Sequence, residues 1–276
     1  MRLCRYEGLV VVRIANSLPC SAATFMAFTL PTVDNIVNAV RQLLDKFLAA
    51  DPLATSTLKQ AVNLLAPFIV EVFNRSQARG HFPAGFKKAF ITPTVKKPGM
   101  DTTDVSSYPP ISNLPVLSKL LERLVVNQHM DYLQTADLLP ANQSGFRPDH
   151  STETAVLRVL SNILLAVDCG DVAALILLDL SGAFDMVYYE ILLQRLQTTY
   201  GISDVAHRWF RSYLLGRSQY VRIGTSCSSV IDLICGVPQG SVLGLVLFIL
   251  YTAGLISLIV SHGLTPHLYA DDTQVP

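Results

Sequence analysis

Apolar positions along this chain fall into helical spacing first and into strand-like runs later. Over residues 33–48, Val33, Ile36, Val37, Val40, Leu43, Leu44 and Phe47 share one helical face, with Asp34 in the first turn. That predicts an amphipathic helix, and Asp51-Pro52 breaks the pattern. A second helix is expected over residues 55–79 on Leu58, Val62, Leu65, Ile69, Val72 and Phe73, stopped by Gly80, with a kink or restart at Pro67. Residues 90–95 read as a short strand that Pro93 assigns to a sheet edge, and Lys96-Lys97-Pro98-Gly99 as a turn. Further helices are expected over residues 113–133, with Leu117, Leu120, Leu121, Leu124 and Val125 on one face, and over 151–167. Ser151-Thr152-Glu153-Thr154 supplies capping chemistry for the latter.

From residue 173 the pattern changes. The run AALILL, residues 173–178, is continuously apolar, which predicts a strand buried on both faces and ending at Asp179. Helices follow over 189–200 and 204–215, and residues 220–223 and 230–234 alternate like paired strands. A long apolar helix is expected over 241–260, and residues 267–270 lead into Asp271-Asp272. The mixture is α+β, helices in front and strands entering late, without an internal repeat. Residues 1–24 lack periodicity and form an unassigned leader, 25–85 an N-terminal helical segment, and 86–276 the main domain.

Composition narrows the class. Half of the 276 residues are apolar and 15% are charged, with a mean hydropathy of +0.39. This excludes intrinsic disorder, and 15 Gly and 15 Pro exclude a collagen-like or low-complexity chain. Net charge is zero, 21 basic against 21 acidic residues, but its distribution is uneven. Residues 75–98 hold Arg75, Arg79, Lys87, Lys88, Lys96 and Lys97 and no acidic residue, which fits either a solvated face or a patch for phosphates. The five cysteines, Cys4, Cys20, Cys169, Cys227 and Cys235, have no CxxC spacing and read as reduced, mostly buried thiols of an intracellular protein. The apolar run at residues 8–12 is broken by Arg13, shorter than a signal peptide needs, so secretion is not expected. Residues 241–260 carry no charge: by length they could span a membrane, yet no basic cluster flanks them and their glycines also fit a helix buried against a sheet.

The candidate chemistry lies in carboxylates. Asp179 stands where a strand is expected to end, and Asp271-Asp272 form an adjacent pair. Neighbouring carboxylates repel, and a divalent cation with oxygen ligands offsets that repulsion; taken alone, however, a pair of this kind reads as an exposed turn. The pair is not alone. Tyr269-Ala270-Asp271-Asp272 resembles the YxDD box of reverse transcriptases, and Asp179-Leu180-Ser181-Gly182-Ala183-Phe184-Asp185 resembles their first catalytic motif. The string Gly236-Val237-Pro238-Gln239-Gly240 is similar to their PQG motif. Ile111-Ser112-Asn113-Leu114-Pro115 and Gln143-Ser144-Gly145-Phe146-Arg147 resemble the family too, specifically reverse transcriptases of LINE-type (non-LTR) retrotransposons. Five motifs in order, over residues 50–276, carry the resemblance.

The resemblance implies a right-hand polymerase fold of fingers and palm, an antiparallel palm sheet packed on helices, with the thumb absent and the domain ending after YADD. It implies RNA-directed DNA polymerase activity with two Mg²⁺ ions, or Mn²⁺ in their place, bound by Asp179, Asp271, Asp272 and the carbonyl of Leu180. Phe184 matches the aromatic gate under the sugar, and is otherwise a core phenylalanine; Gln239 and Gly240 would line the nucleotide pocket. Lys96 or Lys97 would contact the triphosphate, or else decorate a solvated turn. Expected partners are an RNA template, a DNA primer and dNTPs, with no membrane, and the expected location is the nucleus or cytoplasm. Three departures stand out: Pro109 occupies the place of an arginine in the family's Tyr-Arg-Pro-Ile-Ser string, Leu245 that of a proline, and Tyr188-Tyr189 that of Asp-His. They keep a second expectation open, a catalytically inactive remnant with at most residual nucleic-acid binding.

Overall fold

The computed structural model describes residues 21–44, 53–140, 142–145, 150–170, 172–178, 182–270 and 272–275. Eight α-helices stand among them: α1 (Val33–Arg41), α2 (Thr55–Gln60), α3 (Val62–Arg79), α4 (Val116–Thr135), α5 (Thr152–Asp168), α6 (Tyr189–Thr198), α7 (Asp204–Leu214) and α8 (Leu243–Ser261). The strands are β1 (Lys88–Ile91), β2 (Ser112–Asn113), β3 (Ile176–Leu178), β4 (Arg217–Ile223), β5 (Ser226–Cys227), β6 (Ile231–Leu233), β7 (His267–Tyr269) and β8 (Asp272–Val275). They form two sheets. In one, β1 pairs antiparallel with β2 and parallel with β4, and β4 pairs antiparallel with β5 and β6. In the other, β8 lies between β3 and β7, antiparallel to both.

Local chemistry explains most boundaries. Thr32 caps α1 and Ser151 caps α5, each through a reciprocal box with the residue three positions on. Helix α3 ends at Gly80 in the left-handed conformation. The expected single helix over 55–79 is interrupted at Ala61, not at Pro67; the Ala61 carbonyl accepts from both Leu64 and Leu65, and Pro67 rides inside α3. β1 ends two residues before Pro93 and sits between two partners, so the strand is shorter than expected and lies inside the sheet. Proline has no N–H for a ladder, and the strand stops before reaching it. Helix α4 starts after Pro115 because Ser112 and Asn113 are taken by the ladder with β1.

One core joins the helices. Trp209 of α7 lies at its centre, with ring centroids 5.3–5.7 Å from those of Phe28, Phe82, Phe210 and Tyr213. The backbone around Phe25 enters this core directly: Phe25 bridges Ile202, and Thr29 exchanges two hydrogen bonds with the side chain of Gln128. Helix α8 packs against α4 and α6, burying Leu243, Val246, Leu247, Phe248, Leu250 and Ala253, while Leu258 and Val260 near its end are exposed. Two expectations are corrected. β3 is exposed along its whole length, because among the described residues it is an edge strand paired with β8 alone. Cys169 and Cys227 are exposed and Cys235 is half-buried, so the described thiols are not core residues.

Candidate active site

Residues 236–242 form a loop that other motif strings hold by their backbones. The Gly236 N–H donates to the Val187 carbonyl at 2.9 Å, and the Val237 N–H to the Phe184 carbonyl at 2.7 Å. The loop is thereby tied to the 3₁₀ turn Ala183–Met186 that follows Asp179 in sequence. On its other side the Ser112 N–H of β2 donates to the Gln239 carbonyl at 2.8 Å. Gly240 has φ +92° there, and a Cβ on it would sit 2.9 Å from the Ser112 carbonyl oxygen. A side chain would therefore be both strained and in collision with backbone.

A buried carboxylate seats the end of this loop. Glu122 of α4 has no solvent exposure, and its Oε2 accepts from the N–H groups of Val242 (2.8 Å) and Leu243 (3.2 Å) at the start of α8. Its Oε1 accepts from the Ser118 hydroxyl at 3.0 Å. An anion at a helix N-terminus is favoured by the helix dipole and the free N–H groups there. Burial nevertheless pushes the Glu122 carboxyl up from its ordinary range, against the opposing pull of Arg217 and these donors. Arg217 is buried too, stacked on Tyr213 with 4.5 Å to the ring centroid. On α8 the Phe248 ring stacks on Phe184 at 4.9 Å, which holds Phe184 half-buried beside the loop.

The second part of the site is the β7–β8 hairpin. Tyr269 faces Asp272 in its ladder, with Ala270 and Asp271 between them in sequence. Ala270, the first of these, takes φ +55°, a left-handed conformation that an alanine rarely adopts. On the far side of β8, Leu178 of β3 pairs with Thr273. Asp272 heads β8 and is exposed. Gln143, almost wholly buried, holds the reversal: its Oε1 accepts from the N–H groups of Ala270 (3.0 Å) and Gly145 (2.8 Å), and its Nε2 donates to the Ala270 carbonyl (3.2 Å).

Of the residues singled out by sequence, Phe184, Gln239 and Gly240 meet around the loop. Asp179, Leu180 and Asp271 lie outside the described residues, which leaves Asp272 as the described member of the carboxylate set. Lys96 and Lys97 are exposed in the turn beyond β1, where the Lys96 N–H donates to the Ser107 carbonyl. Nearby, Lys87 donates to the Leu215 carbonyl, and burial and the charge of Arg217 lower its pKa. Asp179, Asp271, Asp272 and the Leu180 carbonyl, the groups that the resemblance names, would offer a hard divalent cation oxygen ligands alone, and of these the structure describes Asp272. Glu122 and Gln143 were not expected to matter. Gln143 stood inside a quoted motif, whereas nothing but a charge on an apolar helix face marked Glu122.

Residues 95–275 match the family model described as reverse transcriptase (RNA-dependent DNA polymerase). A probable RNA-directed DNA polymerase from transposon BS of Drosophila melanogaster is 34% identical over 251 residues, covering 87% of this chain and 27% of that protein. The RNA-directed DNA polymerase from mobile element jockey of the same species is 31% identical over 280 residues, covering 99% of this chain and 29% of that protein. The chain thus spans less than a third of the length of these curated relatives. Among solved structures, a chain of a partial Cas6-RT-Cas1–Cas2 complex aligns with a TM-score of 0.44 and 18% identity, over 88% of this chain and 37% of that one.

Proposed function

The chain belongs to the reverse transcriptase family, and from that premise we propose that it is the fingers-and-palm part of an RNA-directed DNA polymerase of a non-LTR retrotransposon. The reaction is template-directed addition of a deoxynucleotide to a primer. A bond forms between the primer O3′ and the α-phosphorus of a dNTP as the hydroxyl proton passes to solvent, the α–β phosphoanhydride bond breaks, and pyrophosphate leaves with that bond's electron pair. The observation that carries this reading is the pairing of β3 with β8. Asp179 follows Leu178 in the chain and Asp272 precedes Thr273, so these two carboxylates flank the last pair of that ladder in sequence.

Asp179, Asp271, Asp272 and the Leu180 carbonyl would hold two Mg²⁺ ions. Such ions, when bound, lower the pKa of the attacking hydroxyl and neutralise charge on the leaving group. The remaining work falls to the protein's own groups. Phe184, stacked on Phe248, presents a fixed aromatic wall to the sugar and offers a 2′-hydroxyl no hydrogen bond. Gln239 and Gly240, pinned to Ser112, form a floor that a nucleotide can approach closely. Lys96 and Lys97 supply mobile positive charge toward the triphosphate. Such a protein works where template RNA and target DNA are found, in the cytoplasm or the nucleus.

One observation favours a second reading, an inactive remnant with residual nucleic-acid binding. Pro109 stands where a guanidinium would clamp phosphate, and proline offers neither charge nor donor. Primer extension on an RNA template with Mg²⁺ separates the two. The chain is expected to incorporate dNTPs, with incorporation abolished in Asp271→Asn and raised in Pro109→Arg. Equal incorporation by Asp271→Asn would refute the carboxylate assignment; silence from both the chain and Pro109→Arg would leave the remnant.

A further inference from the structure

We infer that Gln143 is a positioning residue for the carboxylates at 271 and 272, acting through the backbone of Ala270; this rests on the reading of those carboxylates as metal ligands. Residues 142–144 run parallel to β7: the Leu268 N–H donates to the Asn142 carbonyl and the Ser144 N–H to the Leu268 carbonyl, both at 2.8 Å. Among the described residues both bonds of that backbone ladder fall on Leu268, one residue before β7 ends. At Ala270 the side chain of Gln143 takes over, accepting from its N–H at 3.0 Å and donating to its carbonyl at 3.2 Å. One amide thus satisfies both backbone groups of the residue that carries the left-handed φ of +55°. The next two residues in the chain are Asp271 and Asp272.

The chemistry of the clamp restricts the residue at 143. It needs one acceptor and one donor on a single planar group, at the reach of two methylenes. A glutamate when ionised accepts but cannot donate, and would face the Ala270 carbonyl with like charge; a leucine of similar volume offers neither bond. Gly145 belongs to the same unit. Its N–H is the second donor to Gln143 Oε1, and a Cβ on it would sit 3.0 Å from that oxygen and 3.1 Å from the Ala270 nitrogen. A side chain at 145 would therefore push into the clamp. The Gln-x-Gly string is in this way the backing of the turn that presents the carboxylates, although it lies over 120 residues earlier in the chain.

The test compares the chain with Gln143→Leu and, should that variant fail to fold, with Gly145→Ala. Amide hydrogen exchange reads the clamp itself. Protection at Ala270 should be lost in Gln143→Leu, while Leu268, held by a backbone partner, keeps it. Mn²⁺ binding followed by electron paramagnetic resonance, and primer extension as a function of Mg²⁺, read the consequence. Both the dissociation constant and the half-saturating Mg²⁺ should rise about tenfold or more, as when partners that orient metal ligands are removed, with template–primer affinity unchanged. Persistent Ala270 protection in the variants would overturn the clamp. Lost protection with unchanged Mn²⁺ and Mg²⁺ dependence would overturn the positioning role. Asp271→Asn in parallel keeps the premise separate: if it binds Mn²⁺ and polymerises normally, the carboxylate reading fails whatever Gln143 does.

Discussion

His129 sits on α4 with no solvent exposure, between the rings of Phe25 (6.1 Å) and Phe210 (5.1 Å), and neither ring nitrogen has a hydrogen-bond partner among the described residues. A charge there would be stripped of water, so burial lowers its pKa from the ordinary 6.5 to about 3. The native state keeps the ring neutral, whereas the unfolded chain binds a proton below 6.5. Stability from this residue is therefore complete above pH 6.5 and falls as the pH drops toward 3. At pH 5 the loss amounts to about 2 kcal/mol, at 1.36 kcal/mol per pH unit. Glu122, raised by burial, works in the opposite direction, costing stability as the pH rises above its ordinary 4.5. The clean measurement is hence a difference: urea unfolding of the chain and of His129→Leu at pH 7 and pH 5. The variant should lose about 2 kcal/mol less between the two, and parallel losses would show that the ring is not neutral in the native state.

Helix α8 depends on one carboxylate from another helix. Glu122 satisfies the N–H groups of Val242 and Leu243, and without it buried donors would face no partner. Glu122→Ala is expected to destabilise the chain by about 2–4 kcal/mol, and Glu122→Gln, which keeps one acceptor oxygen, by clearly less; urea midpoints followed by Trp209 fluorescence measure both. A loss under about 0.5 kcal/mol in the alanine variant would mean that water replaces the cap. The helix itself was plain in the sequence as an uncharged run, and so were the motif strings that surround it. Its seat was not. Helical spacing put Leu120, Leu121, Leu124 and Val125 on one face of α4, but the partner that permits a carboxylate among them lies 120 residues away. The clamp from Gln143 to Ala270 was hidden for the same reason, since its two halves are 127 residues apart. The apolar run before Asp179 misled in the other direction. Its hydrophobicity fixed strand type but not coverage, and β3 turned out to be an exposed edge.

Exposed apolar side chains recur beyond that edge. On α5, Val156, Leu157, Leu160, Leu164 and Leu165 are each about half exposed or more, while Ala155 and Val159 are its buried residues. Ile176, Leu177 and Leu178 of β3 are exposed as well, and among the described residues β3 pairs on one side, with β8. Apolar side chains and an unpaired strand edge drive self-association in different ways, the first by burying area and the second by adding a strand from another copy. The chain is accordingly expected to form concentration-dependent oligomers in sedimentation velocity. Leu160→Glu with Leu164→Lys places opposite charges one helical turn apart on the exposed face, in the favourable order. Leu177→Lys puts a charge on the strand edge. Each should raise the monomer fraction without lowering the melting temperature, because the side chains it replaces contribute little to the fold. If only Leu177→Lys acts, the association is strand addition; if only the α5 pair acts, it is burial of the helix face. A monodisperse, cooperatively unfolding parent chain would contradict both, and would mean that these exposed leucines and isoleucines are tolerated in water as they stand.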